Sequence, residues 1–298
     1  MNRAVKPPPE AGVIAVVNGS ASGADDPGAL LSAVCGAIEQ AGARAAGLVT
    51  RSEDELGEVL ANAEGRRIAL VGGDGTLHAA VNQPVDLPDL AIVPTGRANN
   101  VARALGVPLD LRGAASVAAN ALSRPLDVLR VETASGTEWC VEGVSAGLQA
   151  DARSRYEGEN SGDVRGGAQA FASALREFHP YALAVHGGDG FAFEGDAAQV
   201  FLSNLPYFGF GFQVDPMARP RDGLLEAIVL EAESRIDVAR LMWSVYRGRH
   251  LGRRGVRFAR VRDAVLTGPV PLAGDGTPLG TASATVAVEQ GRVRVAAP

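Results

Sequence analysis

The sequence predicts an α/β fold that turns β-rich in its second half, and three observations carry that prediction. Up to about residue 125, short apolar runs alternate with amphipathic stretches of helical period, as βαβ units feeding a parallel sheet do. Beyond Leu126, strand-like runs follow one another at short spacing with turn residues between them, which points to a sandwich or barrel. The composition is that of a soluble globular chain: 298 residues, 46% hydrophobic, 21% charged, net charge −6. That length suits two domains, 1–125 and 126–298.

Residues 12–17 read as a buried strand, and 27–40 as a helix with Leu30, Leu31, Val34, Ala37 and Ile38 on one face. Strands follow at 45–49, 67–71 and 90–93, with helices over 53–63 and 98–105. Past a joint near Arg124-Pro125, strands are predicted at 126–132, 138–144, 181–186, 191–194, 198–203, 225–230, 264–267, 284–289 and 292–295. Only two helices, 165–178 and 236–246, interrupt them. No internal repeat is present.

Composition also excludes chemistries. Of 28 basic residues only Lys6 is a lysine, and it precedes a Pro-Pro-Pro run near the start. A phosphate loop ending in Gly-Lys-Ser/Thr is therefore absent, as are a protein-kinase-type strand lysine and a pyridoxal Schiff base. Phosphate chemistry here must use backbone amides, arginine and metal. Cys35 and Cys140 are too few for a thiolate zinc cluster or a disulfide framework. His78, His179 and His186 lack metal-ligand spacing and read as structural. The acidic balance argues against a nucleic-acid binder working by bulk charge. Residues 1–11 lack the apolar core of a signal peptide and no apolar run reaches membrane-spanning length, so a cytoplasmic protein is expected.

The segment richest in chemistry is Leu70-Val71-Gly72-Gly73-Asp74-Gly75-Thr76-Leu77-His78. A strand runs into three glycines and an aspartate, then a helix begins. Glycines let the backbone approach a phosphate without a Cβ clash, and the helix start aims free N–H groups at the same spot. Asp74 suits Mg²⁺ better than bare phosphate, and Thr76 suits a helix cap or a phosphate contact. A tight strand-to-helix turn is the alternative. His186-Gly187-Gly188-Asp189-Gly190 repeats the string between two strand-like runs and reads as a hairpin turn, so context decides. A second strand-end loop, Pro94-Thr95-Gly96-Arg97-Ala98-Asn99, also feeds a helix. Asn18-Gly19-Ser20-Ala21-Ser22-Gly23 and Thr50 end the first two strands. In a doubly wound sheet all four strand ends face one crevice, where a nucleotide binds.

These segments, in this order, resemble the diacylglycerol kinase catalytic-domain family of bacterial soluble lipid kinases and sphingosine kinases, with NAD kinases and phosphofructokinases more distant. Asn18…Ser22-Gly23 resembles the family's Asn-Pro-x-Ser-Gly loop, one residue longer and with Gly19 for proline. Residues 72–76 match Gly-Gly-Asp-Gly-Thr in full, Asn82 fits an asparagine late in the next helix, and 94–103 resemble Pro-x-Gly-Thr-x-Asn-Asp/Asn-x-Ala-Arg. Asn204, Gly209, Gly211, Asp215-Pro216-Met217-Ala218 and Asp222-Gly223-Leu224-Leu225 follow the bacterial members, and 274–280 sits where the family has Asp-Gly-Glu.

The resemblance implies a doubly wound N-terminal domain of NAD kinase and phosphofructokinase type, and a C-terminal β-sandwich whose last strands return to the first domain. It implies ATP and Mg²⁺ as cofactors and a diacylglycerol-type lipid hydroxyl as acceptor. Nucleotide-binding roles fall on Asn18, Ser22, Gly23, Thr50, Gly72, Gly73, Asp74, Gly75, Thr76, Gly96, Arg97 and Asn99. A structural Mg²⁺ is implied at the Asp222 carboxylate and the carbonyls of Arg219 and Leu224, with Asp127 linking it toward the phosphates.

Two departures matter. The family's general base, the glutamate of Asp-Gly-Glu, is Thr277 here, and a threonine hydroxyl takes no proton near neutral pH. Asp275, two residues earlier, is the only nearby substitute and is shorter. Arg97 stands for the phosphate-contacting threonine, and arginine binds phosphate bidentately. The chain thus reads as a lipid kinase or, alternatively, as a catalytically impaired nucleotide- or lipid-binding protein. An NAD kinase, sharing the 72–76 loop, is a third reading. The 236–246 helix with Trp243, followed by Arg247, Arg249, His250, Arg253, Arg254, Arg257, Arg260 and Arg262, suits an anionic membrane surface; an arginine-rich strand face paired with carboxylates is the alternative. The oligomeric state stays open, a homodimer included.

Overall fold

The computed structural model describes residues 12–19, 26–156, 164–188, 190–209, 211–281 and 283–298. The chain forms two compact units, Met1–Leu126 with Gly291–Pro298, and Asp127–Gln290.

In the first unit, strands alternate with helices: β1 (Val13–Asn18), α1 (Pro27–Gln40), β2 (Ala45–Thr50), α2 (Glu53–Ala61), β3 (Arg67–Gly72), α3 (Asp74–Val81), β4 (Leu90–Pro94), α4 (Asn100–Leu105) and α5 (Leu111–Asn120). The strands are parallel in the order β2-β1-β3-β4. Their apolar runs carry no polar interruption because helices cover both faces; every residue from Val13 to Val17 and from Leu90 to Val93 is buried. Each such valine, leucine or isoleucine contributes about 1.5–3 kcal/mol. Register pairs Asn18 with Thr50 and Gly72 with Pro94, so four carboxyl ends share one edge of the sheet. Side-chain caps start the helices: Asp26 accepts from Ala29 N–H, Ser52 from Glu55 N–H and Asp110 from Gly113 N–H. Helix α5 is absent from the sequence-based reading. Its buried stripe is Ala114, Ala115, Val117 and Ala118, too small to stand out as an apolar period.

Strand β5 (Ser123–Thr133) leads into the second unit, which holds β6 (Gly136–Cys140), β7 (Gly143–Gly147), α6 (Leu148–Arg155), α7 (Val164–Arg176), β8 (Tyr181–Gly187), β9 (Ala192–Ala197) and β10 (Gln199–Ser203). It continues through β11 (Tyr207–Phe208), β12 (Phe212–Gln213), β13 (Leu225–Leu230), α8 (Arg235–Tyr246), β14 (Val256–Val261), β15 (Asp263–Thr267), β16 (Pro271–Gly274), β17 (Thr277–Thr281) and most of β18 (Ala284–Ala296). One antiparallel sheet runs β14-β13-β10-β7-β16-β17; against it lie β18-β15-β8-β9, with β5 and β6 attached at β18. Leu129, Val144, Val185, Leu202, Ala227, Leu266 and Val286, drawn from both sheets, share one core, which makes this a β-sandwich. On the outer face of the first sheet, Phe201 and Ile228 pack with Leu148 of α6, Ala174 of α7 and Val238, Met242 and Val245 of α8.

Four expectations for this half need correction. The single strand expected at 138–144 is two, β6 and β7, parted at Val141-Glu142. Helix α6 makes a third helix; Arg153 and Arg155 mask its short apolar set, Leu148, Ala150 and Ala152. No strand is expected from the sequence between 230 and 264, yet Val256–Val261 forms β14; in it Arg257 pairs with Glu231 and Arg260 with Glu226, the carboxylate-paired alternative for those two arginines. The strands expected at 284–289 and 292–295 are one, β18, continuous through Gly291. The expected hairpin joins β8 and β9, which pair antiparallel, and Gly187 N–H donates to Phe191 O at 2.8 Å; Asp189 lies outside the described residues.

Candidate functional site

The two glycine loops of the first unit leave adjacent strands, β3 and β4, and meet backbone to backbone. Thr95 N–H donates to Gly72 O at 3.0 Å. A Cβ on Gly96 would lie 2.6 Å from Gly73 Cα, so no side chain fits there without moving a loop. Asp74, the first residue of α3, reaches across the junction. Its carboxylate oxygens accept from Asn100 N–H and Val101 N–H, each at 3.0 Å. Helix α4 gets no side-chain cap from Asn99, so Asp74 supplies the acceptors its first turn needs.

Thr76 is buried, and a Cβ on Gly72 would collide with its hydroxyl. It does not cap α3; it is that helix's third residue, and the cap position is Gly73, which offers no side chain. Within that first turn Thr76 N–H donates to Gly73 O at 3.0 Å, and no side chain at the cap position closes the helix. Asn99 adopts the left-handed conformation at φ 48°, and its Nδ2 donates to Gly96 O at 2.7 Å. Its Oδ1 is buried and has no partner among the described residues. A buried acceptor with no protein hydrogen-bond partner is able to accept from a bound group. Arg97 is exposed and makes no hydrogen bond or ion pair among the described residues.

Asn18 ends β1 half-buried on the same edge, while Ser22 and Gly23 lie outside the described residues. Thr50 is buried, its carbonyl accepting from Gly19 N–H at 2.8 Å. It lines a recess with Glu55 and Glu58, whose carboxylates suit no phosphate, and β1 separates it from the glycine loops.

In the second unit, Asp275 holds φ 47° in the turn between β16 and β17. Its carboxylate accepts from Val141 N–H at 2.6 Å, Glu142 N–H at 2.8 Å and Gly143 N–H at 3.0 Å. Both oxygens face backbone amides, so Asp275 pins the turn to the β6–β7 link and is not disposed as a substitute base. Arg153 Nε of α6 donates to Gly276 O, and its Nη1 is buried with no partner among the described residues. Thr277, exposed, opens β17 just after this clamp.

Asp127 is buried; its Oδ2 accepts from Gly223 N–H at 2.9 Å and its N–H donates to Pro220 O at 3.0 Å. Asn204 Nδ2 donates to the carbonyls of Asp127 and Val141, at 2.8 and 2.9 Å. Together they fix the turn at Asp222-Gly223, where Gly223 needs φ 73°. The residues there do not fit the expected Mg²⁺. One Asp222 oxygen accepts from Leu224 N–H at 3.1 Å and the other pairs with the Arg260 guanidinium, while Arg219 O accepts from Arg221 N–H at 2.7 Å. A guanidinium at the carboxylate occupies the charge position of a cation and repels one. Among the described residues no group of three or more His, Cys, Asp and Glu could hold a metal.

Arg260 also donates to Glu226 at 3.2 Å. Burial, then the nearby Asp215, push the Glu226 carboxyl up to about 8 despite that arginine. The sequence reading overlooked this network. Its signal was a glutamate inside the otherwise apolar Leu225–Leu230, which cross-strand register sets opposite Arg260.

Comparison with known proteins shows what this chain resembles. The diacylglycerol kinase catalytic domain family model matches residues 13–131, and that of the YegS C-terminal NAD kinase beta sandwich-like domain matches residues 142–297. A protein of Stenotrophomonas maltophilia named "Probable lipid kinase YegS-like" is 32% identical over 173 residues, 55% of each chain. A diacylglycerol kinase of Bacillus subtilis is 27% identical over 201 residues, 65% of this chain and 64% of that one. The aligned part therefore spans less than two thirds of either relative. A crystal structure of a diacylglycerol kinase from Bacillus anthracis shares the fold with a TM-score of 0.70 at 19% identity, covering 96% of both chains.

Proposed function

The chain belongs to the diacylglycerol kinase catalytic-domain family, and from that premise we propose that it is a lipid kinase-like phosphotransferase, moving the γ-phosphate of magnesium-bound ATP to a diacylglycerol-type hydroxyl. The observation that carries this reading is the pair of glycine loops joined through Asp74, beside the uncapped start of α3. Backbone N–H groups of Gly73 and Gly75 bind phosphate oxygens, and Arg97 neutralises them. Asn99 Oδ1 accepts from an N–H or O–H of the nucleotide. Asp74 is a positioning residue, which keeps the two loops at one distance. Positioning and charge neutralisation carry much of phosphoryl transfer, whereas a general base adds about 10²–10⁴ in rate. With Thr277 in the base position, turnover is slow but present.

A second reading, binding without turnover, is favoured by Thr277 together with an Asp275 whose carboxylate is taken up by three amides. Incubation with γ-labelled ATP and Mg²⁺ in mixed lipid micelles separates the two. Label in extracted lipid, rising at least tenfold in Thr277→Glu, is the expected result. ATP binding with no label in lipid, in the wild type and in Thr277→Glu, overturns the kinase reading. Label in NAD instead of lipid would move the chain to NAD kinase chemistry.

A further inference from the structure

Helix α8 turns an unusual face to solvent. Val238, Met242 and Val245 bury one side of it in the core beneath the sandwich. The other side carries Ile236, Trp243 and Tyr246, which are 64%, 61% and 49% exposed. Spacings of three, four and seven residues put these on one stripe with Arg240 and Arg247. Trp243 stacks on Tyr246 with ring centroids 5.6 Å apart, and the Arg247 guanidinium lies 5.9 Å from the Trp243 ring. Exposed apolar and aromatic groups interleaved with arginine are not a solvated helix face.

The charge around this stripe is one-sided. Asp237 pairs with Arg240 at 3.5 Å near the start of the helix. Past Trp243, no carboxylate among the described residues pairs with Arg247, Arg249, Arg253 or Arg254. These cations are concentrated in a chain of net charge −6. No helix of the described residues is long and apolar enough to cross a membrane.

We propose that the exposed face of α8 docks in the plane of an anionic lipid bilayer. At 12 residues the helix is about 18 Å long, enough to lie along the headgroup layer. Trp243 and Tyr246 sit at the depth where amphipathic rings are stable, and Ile236 enters the acyl boundary. The arginines extend their charged ends to lipid phosphates while their stems stay apolar. A nucleic acid would use the arginines and Trp243 but leave Ile236 in water. A second copy would bring the uncompensated arginines against one another.

The test uses the full chain without nucleotide, so that its outcome is independent of the phosphotransfer reading. Vesicles of phosphatidylcholine alone are compared with vesicles containing about one-third phosphatidylglycerol, by co-sedimentation and Trp emission. Binding and a blue shift are expected only with the anionic vesicles, with the shift lost in Trp243→Phe, which retains Trp139. At about fivefold per cation, Arg247→Ala with Arg249→Ala lowers partitioning about 25-fold, with circular dichroism unchanged because both residues are exposed. Should that double variant not fold, reversal of wild-type binding by salt is the equivalent readout. Equal binding to both vesicles, or to neither, overturns the proposal. So does a Trp243 shift on raising protein concentration or adding an oligonucleotide, in the absence of lipid.

Discussion

Asp74→Ala isolates the bond that holds the candidate site together. The carboxylate accepts two backbone N–H groups at 3.0 Å, and both donors are buried: Asn100 is 0% and Val101 1% exposed. Alanine leaves both donors without an acceptor, at about 1–3 kcal/mol each, so about 2–6 kcal/mol in all. That is a large part of the 5–15 kcal/mol typical of a folded domain. Asp74→Asn retains one acceptor oxygen and costs about half as much. The loss is local, so hydrogen exchange of peptides spanning residues 95–105 in the intact chain is the suitable assay. A change of about 3 kcal/mol in opening lowers protection there about 150-fold, while the second unit stays unchanged. ATP affinity falls at least tenfold in the same variant, because Gly73 and Gly96 no longer keep their distance. Unchanged exchange at residues 100–101 would refute the cap. Faster exchange with unchanged ATP affinity would keep the cap and refute the nucleotide role of the loop junction.

Two further variants probe packing and charge. Gly96→Ala places a methyl 2.6 Å from Gly73 Cα and costs about 1–3 kcal/mol with at least tenfold weaker ATP binding, whereas Gly75→Ala, with nothing within 4 Å, leaves stability equal or higher by up to about 1 kcal/mol; equal melting temperatures in the two would contradict the close approach. Glu226 binds its proton more tightly folded than unfolded, so its stabilisation is full below about pH 4.5 and lost as pH rises through about 8. Glu226→Gln removes that slope, worth on the order of 5 kcal/mol, and a wild-type melting temperature falling across this window no faster than the variant's would show that the carboxyl is not protonated in the native state.

The division into an α/β part and a β-rich part was legible because burial dictates residue type. Val13–Val17 and Leu90–Val93 are uninterrupted apolar runs, which only a strand covered on both faces can use. Where small or charged residues build an element, that signal is absent. Helix α5 packs through alanines, α6 carries arginines, and β14 alternates Arg257 and Arg260 with partners that lie some thirty residues away in sequence. The glycine loops were legible for a related reason. Gly72 and Gly96 are dictated by what would collide with a Cβ, and such a constraint shows in the residue type. The job of each carboxylate was not, because a motif gives its position and not its partners. Asp74 bonds to a helix that starts 26 residues later, and Asp222 to an arginine 38 residues later.

At Asp275 the gap between position and partners bears directly on the proposed phosphotransfer. Its carboxylate accepts three amides from the β6–β7 link, and its backbone takes φ 47°, a conformation that aspartate tolerates better than most residues. These duties are structural: without them the turn between β16 and β17 loses its anchor. Thr277 lies two residues on, exposed at the start of β17, and none of those bonds depends on its side chain. Asp275 is therefore held in place by folding, whereas none of these bonds constrains the side chain at position 277. Rescue by Thr277→Glu then becomes a sharp question, since the scaffold that would aim the new carboxylate is still bonded to three amides.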